Sequence, residues 1–293
     1  MAAPPGRDAR RVDRPGGEVL RLLLVNAVAL AAFFVVVGAA CIRRRDVTPV
    51  DAAWATGMVL LALTSALLGD GDPARTVLLT GLCAAWGVRL ATHLLLRWRR
   101  DGPDGRYEVI LGRAQERRGW SFARAAVLLV FLPQAPLLFV VSLPVQLGQV
   151  DRDPGLGPLA LVGTVLAVFG ILVESIGDLQ LTRFRRDPGN AGRVLDTGLW
   201  HWTRHPNYFG DACTWWGLFL VAAETTAGRF SVVGPLLLTW TLTRWSGRPL
   251  LEAKLRRTRP DYVDYIARTP SFVPWFPRAP RAGTATDGRE ARS

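Results

Sequence analysis

The chain has 293 residues, 49% of them hydrophobic and 20% charged, and a formal net charge of +12. Its mean hydropathy is +0.19 despite those charges, because the charges gather in blocks between long apolar runs. Such a pattern excludes a disordered chain, a secreted disulfide scaffold and a soluble dinucleotide-binding domain.

Leu22 to Ile42 runs for 21 residues without a charge, and Ala125 to Val150 for 26. A hydrocarbon core about 30 Å thick needs about 20 helical residues. The expected fold is therefore all-α, a polytopic transmembrane helical bundle of about seven spans. In chain order the spans are 19–42, 50–69, 75–97, 122–148, 156–181, 208–225 and 229–246. The third carries Arg89 and His93, and the fifth ends with Glu174 and Asp178, so each is amphipathic at one end. Pro133, Pro136 and Pro144 predict kinks in the fourth. The last two are short, with uncharged cores only from Ala212 to Ala223 and from Phe230 to Thr243, which suits a tight hairpin or a partly re-entrant pair. Residues 1–18 and 279–293 read as disordered tails.

All the basic residues except Lys254 are arginines. In a membrane protein this excess reads first as the positive-inside bias, not as nucleic-acid binding. The segment 97–124 holds eight Arg, 183–204 five, and the chain after Trp240 eleven Arg or Lys, whereas 70–75, 149–155 and 224–229 hold one each. Alternation then puts the Arg-rich segments and the C-terminus in the cytoplasm of a multi-pass cell-membrane protein. Arg7, Arg10, Arg11 and Arg14 in the N-terminal tail run against that orientation of the first span. Cys41, Cys83 and Cys213 have no metal spacing and read as small apolar packing residues. The three histidines lack the partners of a metal site, so no metal is expected.

The densest chemistry lies in Gly198 to Gly217, GLWHWTRHPNYFGDACTWWG. Pro206 disfavours helix at His205, so the chain turns there and then starts a helix. Asn207 and Tyr208 fall in its first turn, where free N–H groups attract anions. Arg204 can pair a phosphate bidentately, and Trp200 and Tyr208 offer flat faces to a heteroaromatic ring. An interfacial aromatic belt explains the tryptophans but not this ordered polar cluster. Glu174 and Asp178 stand at i and i+4, with Arg185 further along the same helix; as plain structure the acids could pair Arg183 or Arg204. Arg89 and His93 are one turn apart inside a span. They should face a polar cavity or pair with an acid such as Asp51.

Arg204-His205-Pro206-Asn207-Tyr208 followed by Gly210 resembles the signature of the membrane steroid 5-alpha-reductase and sterol C14-reductase superfamily, most of all its bacterial branch. The likeness continues in Asp178-x-Gln180-x-x-x-Phe184-Arg185, Leu195-x-x-Gly198-x-Trp200, Glu252-x-x-x-Arg256, Tyr262-x-x-Tyr265 and Phe272-Val273-Pro274-Trp275. Weaker pieces are Asp51-x-x-Trp54, Trp86-Gly87-x-Arg89 and Arg106-Tyr107, so the resemblance covers roughly residues 45 to 278. It implies that Arg185, Leu195, Trp200, Asn207, Tyr208, Glu252, Arg256 and Tyr265 surround NADPH. Asp178, Gln180, Arg204 and His205 join that cofactor set through the same motifs. Two positions depart from the sterol reductases: Leu181 stands where they have a basic residue, and Arg256 where they have a cysteine.

The implied division is 19–150 as transmembrane helices on the substrate side and 151–278 as a cofactor-binding region open to the cytoplasm. The implied activity is NADPH-dependent reduction of a conjugated C=C in a lipid-like substrate (steroid, isoprenoid or enone). Such a reaction needs an acid near the conjugated oxygen. Tyr107 is the preferred donor, with Asp51 and His93 as alternatives and Arg89 as a polarising cation. No obligate protein partner is signalled. Isoprenylcysteine carboxyl methyltransferases share an Arg-His-Pro-x-Tyr core and bind S-adenosylmethionine, which gives the first rival class. A non-catalytic lipid-binding or scaffolding protein is the second.

Overall fold

The computed structural model describes residues 15–278, with residue 246 excepted. The expected tails lie outside the described residues, apart from 15–18, which open the first helix. Among the described residues there is no strand. The elements begin with α1 (Pro15–Arg44), α2 (Val50–Leu68), α3 (Pro73–Asp101) and α4 (Gly105–Arg118). Then come α5 (Phe122–Ala126), a π-helical turn (Val127–Phe131), α6 (Leu132–Val141) and α7 (Leu143–Leu147). The rest are α8 (Pro158–Arg186), α9 (Leu199–Trp202), α10 (Pro206–Ala222), α11 (Thr226–Arg229), α12 (Val233–Trp240), α13 (Arg248–Thr258) and α14 (Tyr262–Arg268).

Five stretches are long and apolar enough to cross a membrane: Gly16–Arg44, Val50–Leu68, Pro73–Asp101, Phe122–Val141 and Pro158–Arg186. The two short spans expected near the C-terminus are not among these five. Helix α10 stops after 17 residues, a rise of about 25 Å. The 229–246 stretch is divided into a 3-10 turn, α12 and a second π-helical turn, Thr241–Trp245. The fourth span departs from a regular α-helix near two of the three expected prolines, while α6 continues through Pro136. A π-helical turn precedes Pro133, Ser142 leaves helical geometry, and Pro144 restarts the chain as α7. The amide of Gln146 recovers part of the loss by donating to the Phe139 carbonyl at 3.0 Å.

Two compact units divide the chain: Met1–Val168 with Cys213–Leu238, and Phe169–Ala212 with Thr239–Ser293. In the first, Trp86 and Trp215 meet edge to face at 5.3 Å in the core. Asn26, fully buried, donates to Ser65 at 2.8 Å and Gln146 at 3.0 Å and accepts from Thr64 at 2.5 Å. An amide at that depth is tolerable only when bonded in this way. Arg75, also fully buried, donates to the Pro154 and Gly155 carbonyls at 2.6 and 2.9 Å and lies 3.5 Å from Glu224. Glu224 in turn accepts the Gly157 and Ala160 amides at 2.8 and 3.1 Å, placing negative charge at the start of α8.

In the second unit two glycines permit close approach. A Cβ on Gly210 would stand 2.6 Å from the Gly170 carbonyl oxygen and the Glu174 nitrogen, so only glycine lets the start of α10 close on α8. Gly198 has φ +62°, and a Cβ there would lie 2.4 Å from the Gln180 amide nitrogen. That turn launches α9 against α8, where Trp200 donates to the Gly177 carbonyl.

Candidate functional site

Pro206 occupies the first position of α10, which leaves Thr203 to His205 as a short non-helical link after α9. The chain after α14 runs along this link. Arg204 N–H donates to the Pro270 carbonyl at 2.9 Å, Thr203 hydroxyl to the Phe272 carbonyl at 2.8 Å, and Trp275 N–H to the Trp202 carbonyl at 3.0 Å. The terminal Phe272-Val273-Pro274-Trp275 motif thus holds the Arg-His-Pro segment from outside.

Glu252 on α13 ties the link down from a second side. Its Oε1 accepts from Arg204 Nε at 2.9 Å and from His205 Nε2 at 3.0 Å. Arg204 Nη1 also donates to the Ile266 and Thr269 carbonyls at 3.1 and 2.5 Å, closing the open end of α14. Burial alone would raise the Glu252 carboxyl, but the His205 and Arg204 hydrogen bonds and charges outweigh it and hold the group at about 2. Burial lowers the His205 pKa against the pull of Glu252, so the imidazole is neutral at physiological pH. An ionised Glu252 requires the proton on Nε2. His205 Nδ1 is then an acceptor, buried and without a hydrogen-bond partner among the described residues. The His205 ring lies parallel to that of Tyr208, 5.2 Å away.

Beside this knot is an open cleft lined by residues of α8, α9, α13 and α14 and the links between them. Six of the residues chosen from sequence line it: Arg185, Leu195, Trp200, Arg204, His205 and Tyr265. Arg259, Tyr262, Phe184 and Leu181 are lining residues that sequence reasoning left out of the site, and the lining contains no carboxylate. The i, i+4 spacing of Leu251 and Leu255 along α13 was the available signal for that wall, and Arg259 follows just after the helix ends. The remaining chosen residues stand behind the cleft or beside it. Gln180 accepts the Leu199 N–H at 3.0 Å, and Asp178 accepts from the Asn207 amide at 3.2 Å. Trp200 donates to the Gly177 carbonyl at 3.1 Å and accepts from the Tyr265 hydroxyl at 2.5 Å. Burial pushes the Tyr265 and Tyr262 hydroxyls up, so both stay protonated. Arg256 is exposed on α13 and is not part of the lining.

The N-terminal unit holds a second polar cluster. Tyr107 on α4 donates to Asp51 at 2.6 Å, and Arg106 and Arg97 stand 3.0 and 3.6 Å from the same carboxylate. Burial pushes the Tyr107 phenol well up, and the Asp51 charge adds to it. Arg89 and His93 are half-buried on α3, and Arg97 continues their face at the same spacing. The expected partnership of Arg89 with Asp51 is therefore corrected to Arg97, two turns further along. The helix end, where the acid sits, decides the pairing.

A family model described as "Protein of unknown function (DUF1295)" matches residues 37–269. The chain belongs to the DUF1295 family. It is 21% identical over 227 residues to "Uncharacterized protein C594.04c" of Schizosaccharomyces pombe, an alignment covering 69% of this chain and 63% of that protein. The chain thus spans less than two thirds of that relative's length. No solved structure matches. The DUF1295 match takes in the Asp51–Tyr107 cluster, the Glu252 knot and every residue lining the cleft.

Proposed function

We propose that this DUF1295 protein is an integral membrane reductase, resembling steroid 5-alpha-reductases, that reduces a conjugated C=C in a lipid-like substrate with NADPH. The observation that carries the reading is the cleft itself, on which motif residues scattered between 185 and 265 converge. Its chemistry suits the cofactor. Three arginines without a lining carboxylate suit phosphates, and apolar and aromatic walls suit a heteroaromatic ring. Arg185 and Arg259 hold phosphate, while Arg204, engaged by Glu252 and two carbonyls, shapes the floor. Bound in the cleft, NADPH would supply a hydride. The chain supplies the acid: the single Tyr107 proton, donated to Asp51 in the free protein, would turn to the conjugated oxygen when substrate binds. Asp51, backed by Arg97 and Arg106, orients it, and Arg89 and His93 line the substrate side. The cleft and the C-terminus face the cytoplasm of the cell membrane, as the Arg-rich segments require.

The rival reading, an S-adenosylmethionine-dependent methyltransferase, gains from one observation. Arg204 is committed to protein partners, which leaves fewer cations for phosphate. Thermal unfolding of the purified full chain in detergent separates the two. NADPH is expected to raise the unfolding temperature, added salt to reduce the shift, and Arg185→Gln to remove most of it. Each charge-assisted phosphate contact is worth about 1.5–3 kcal/mol, roughly 10- to 150-fold in affinity. A shift with S-adenosylmethionine and none with NADPH reverses the assignment.

A further inference from the structure

Helix α4 lies between two spans. The span of α3 ends at Asp101 and the next begins at Phe122, so both ends of α4 lie on one membrane face, at the boundary of water and lipid. Its outward side is mixed. Val109 and Ile110 are 49% and 41% exposed, and helical spacing places exposed Arg113 and Arg117 beside them. In water two branched aliphatics would stand uncovered. At a lipid boundary they reach the acyl chains while the guanidiniums stay at the level of the phosphates.

The turn after α4 is more specific. The guanidiniums of Arg118 and Arg124 each lie 4.9 Å from the centre of the Trp120 ring. Arg118 ends α4 and Arg124 opens α5, where its N–H is capped by Ser121. Arg113, Arg117, Arg118 and Arg124 make no ion pair among the described residues. A tryptophan between two cations, at the level where a span enters the bilayer, suits a lipid glycerol and its phosphodiester.

We propose that the Arg113–Arg124 strip is a binding site for anionic phospholipid of the leaflet it faces, with the phosphodiester taken by Arg113, Arg117, Arg118 and Arg124 around Trp120. The charge is complementary, the guanidinium forks match phosphate oxygens, and Val109 and Ile110 supply the apolar edge. The site is independent of the reductase reading.

Native mass spectrometry of the full chain in detergent tests it, with palmitoyl-oleoyl phosphatidylglycerol and the matching phosphatidylcholine at equal concentration. A basic residue near an anionic surface is worth about fivefold in partitioning. The wild type is therefore expected to retain phosphatidylglycerol over phosphatidylcholine by about tenfold or more. The combined variant R113Q/R117Q/R118Q/R124Q is expected to bring the ratio near one, while R43Q/R44Q/R45Q leaves it unchanged. A wild-type ratio near one overturns the proposal. So does displacement of the lipid by millimolar inorganic phosphate, which would mark a site for the free anion. Should the fourfold variant fail to fold, a photo-reactive phosphatidylglycerol on the wild type gives the answer. Crosslinks within 109–124 support the site, and crosslinks confined to other segments overturn it.

Discussion

Each unit contains a buried arginine–glutamate pair, and the two are built differently. Arg75 and Glu224 meet at 3.5 Å, and their remaining contacts shown here are backbone groups: two carbonyls for the arginine, two helix-opening amides for the glutamate. Arg204 and Glu252 meet at 2.9 Å and share the carboxylate with His205, on the wall of a cleft. The first pair closes connections between helices. The second does the same for the end of α14, but it also fixes the tautomer of a neutral histidine. A buried ion pair on its own says little about function; what surrounds the carboxylate separates a fastening from a site.

The largest effect should come from breaking either pair on one side. Arg204→Gln and Arg75→Gln each strand a buried carboxylate, at a cost of about 3–5 kcal/mol, read as a fall in unfolding temperature in detergent. The comparison predicts a split in the second readout. Arg75→Gln keeps the NADPH-induced stabilisation, and Arg204→Gln loses it. Loss in both, or in neither, would erase the distinction.

Next in size is the wall that sequence reasoning missed. Arg259→Gln should weaken NADPH by about 1.5–3 kcal/mol, with little change in the stability of the unliganded protein. Titration by thermal shift checks it, and an unchanged affinity removes Arg259 from the phosphate role.

Acid should find the second pair first. Glu252 sits at about 2 against an ordinary 4.5, so the stability it contributes is present above pH 4.5 and is lost as the pH falls toward 2. His205, lowered from 6.5 by burial, acts in the same sense from below pH 6.5, because acid must protonate an imidazole that the fold keeps neutral. Protection factors along 199–210 and 248–269, corrected for the intrinsic pH dependence of amide exchange, should therefore fall on acidification. Protection factors there that do not change between pH 7 and 4 contradict the assigned protonation states.

The smallest effect is expected from removing the first pair whole. Arg75→Met with Glu224→Leu leaves no stranded charge, and such replacements are often close to neutral. Arg204→Met with Glu252→Leu cannot be neutral for ligand binding, because His205 loses the acceptor that sets its tautomer. Equal tolerance of the two double variants, in stability and in the NADPH shift, would make both pairs simple fastenings.

Much was legible from spacing alone. Length and the absence of charge mark the five long spans, since a bilayer demands about 20 apolar residues whatever their order. The prolines mark the breaks in the fourth, because a missing N–H acts locally. The two shorter segments were less legible. Their apolar cores resemble spans, and only the helix breaks around residues 222 to 233 and at 241 show how they are divided. In the site, the Arg-His-Pro motif falls on the cleft, and Arg204 is engaged there by Glu252 and two carbonyls. Sequence can show that a cation is near a ligand motif, but not which carboxylate or carbonyl reaches it first.

The sequence by itself determined that this is an all-helical membrane protein and where its polar motifs interrupt the apolar runs, because hydropathy and proline act over a few residues. Only the tertiary structure decided that residues 213–238 fold with the N-terminal helices, that Asp51 takes Arg97 and Arg106, and that Glu252 takes Arg204 and His205. Those choices depend on which groups become buried together. Once water is excluded, a charge takes whichever partner the packing brings within about 3 Å.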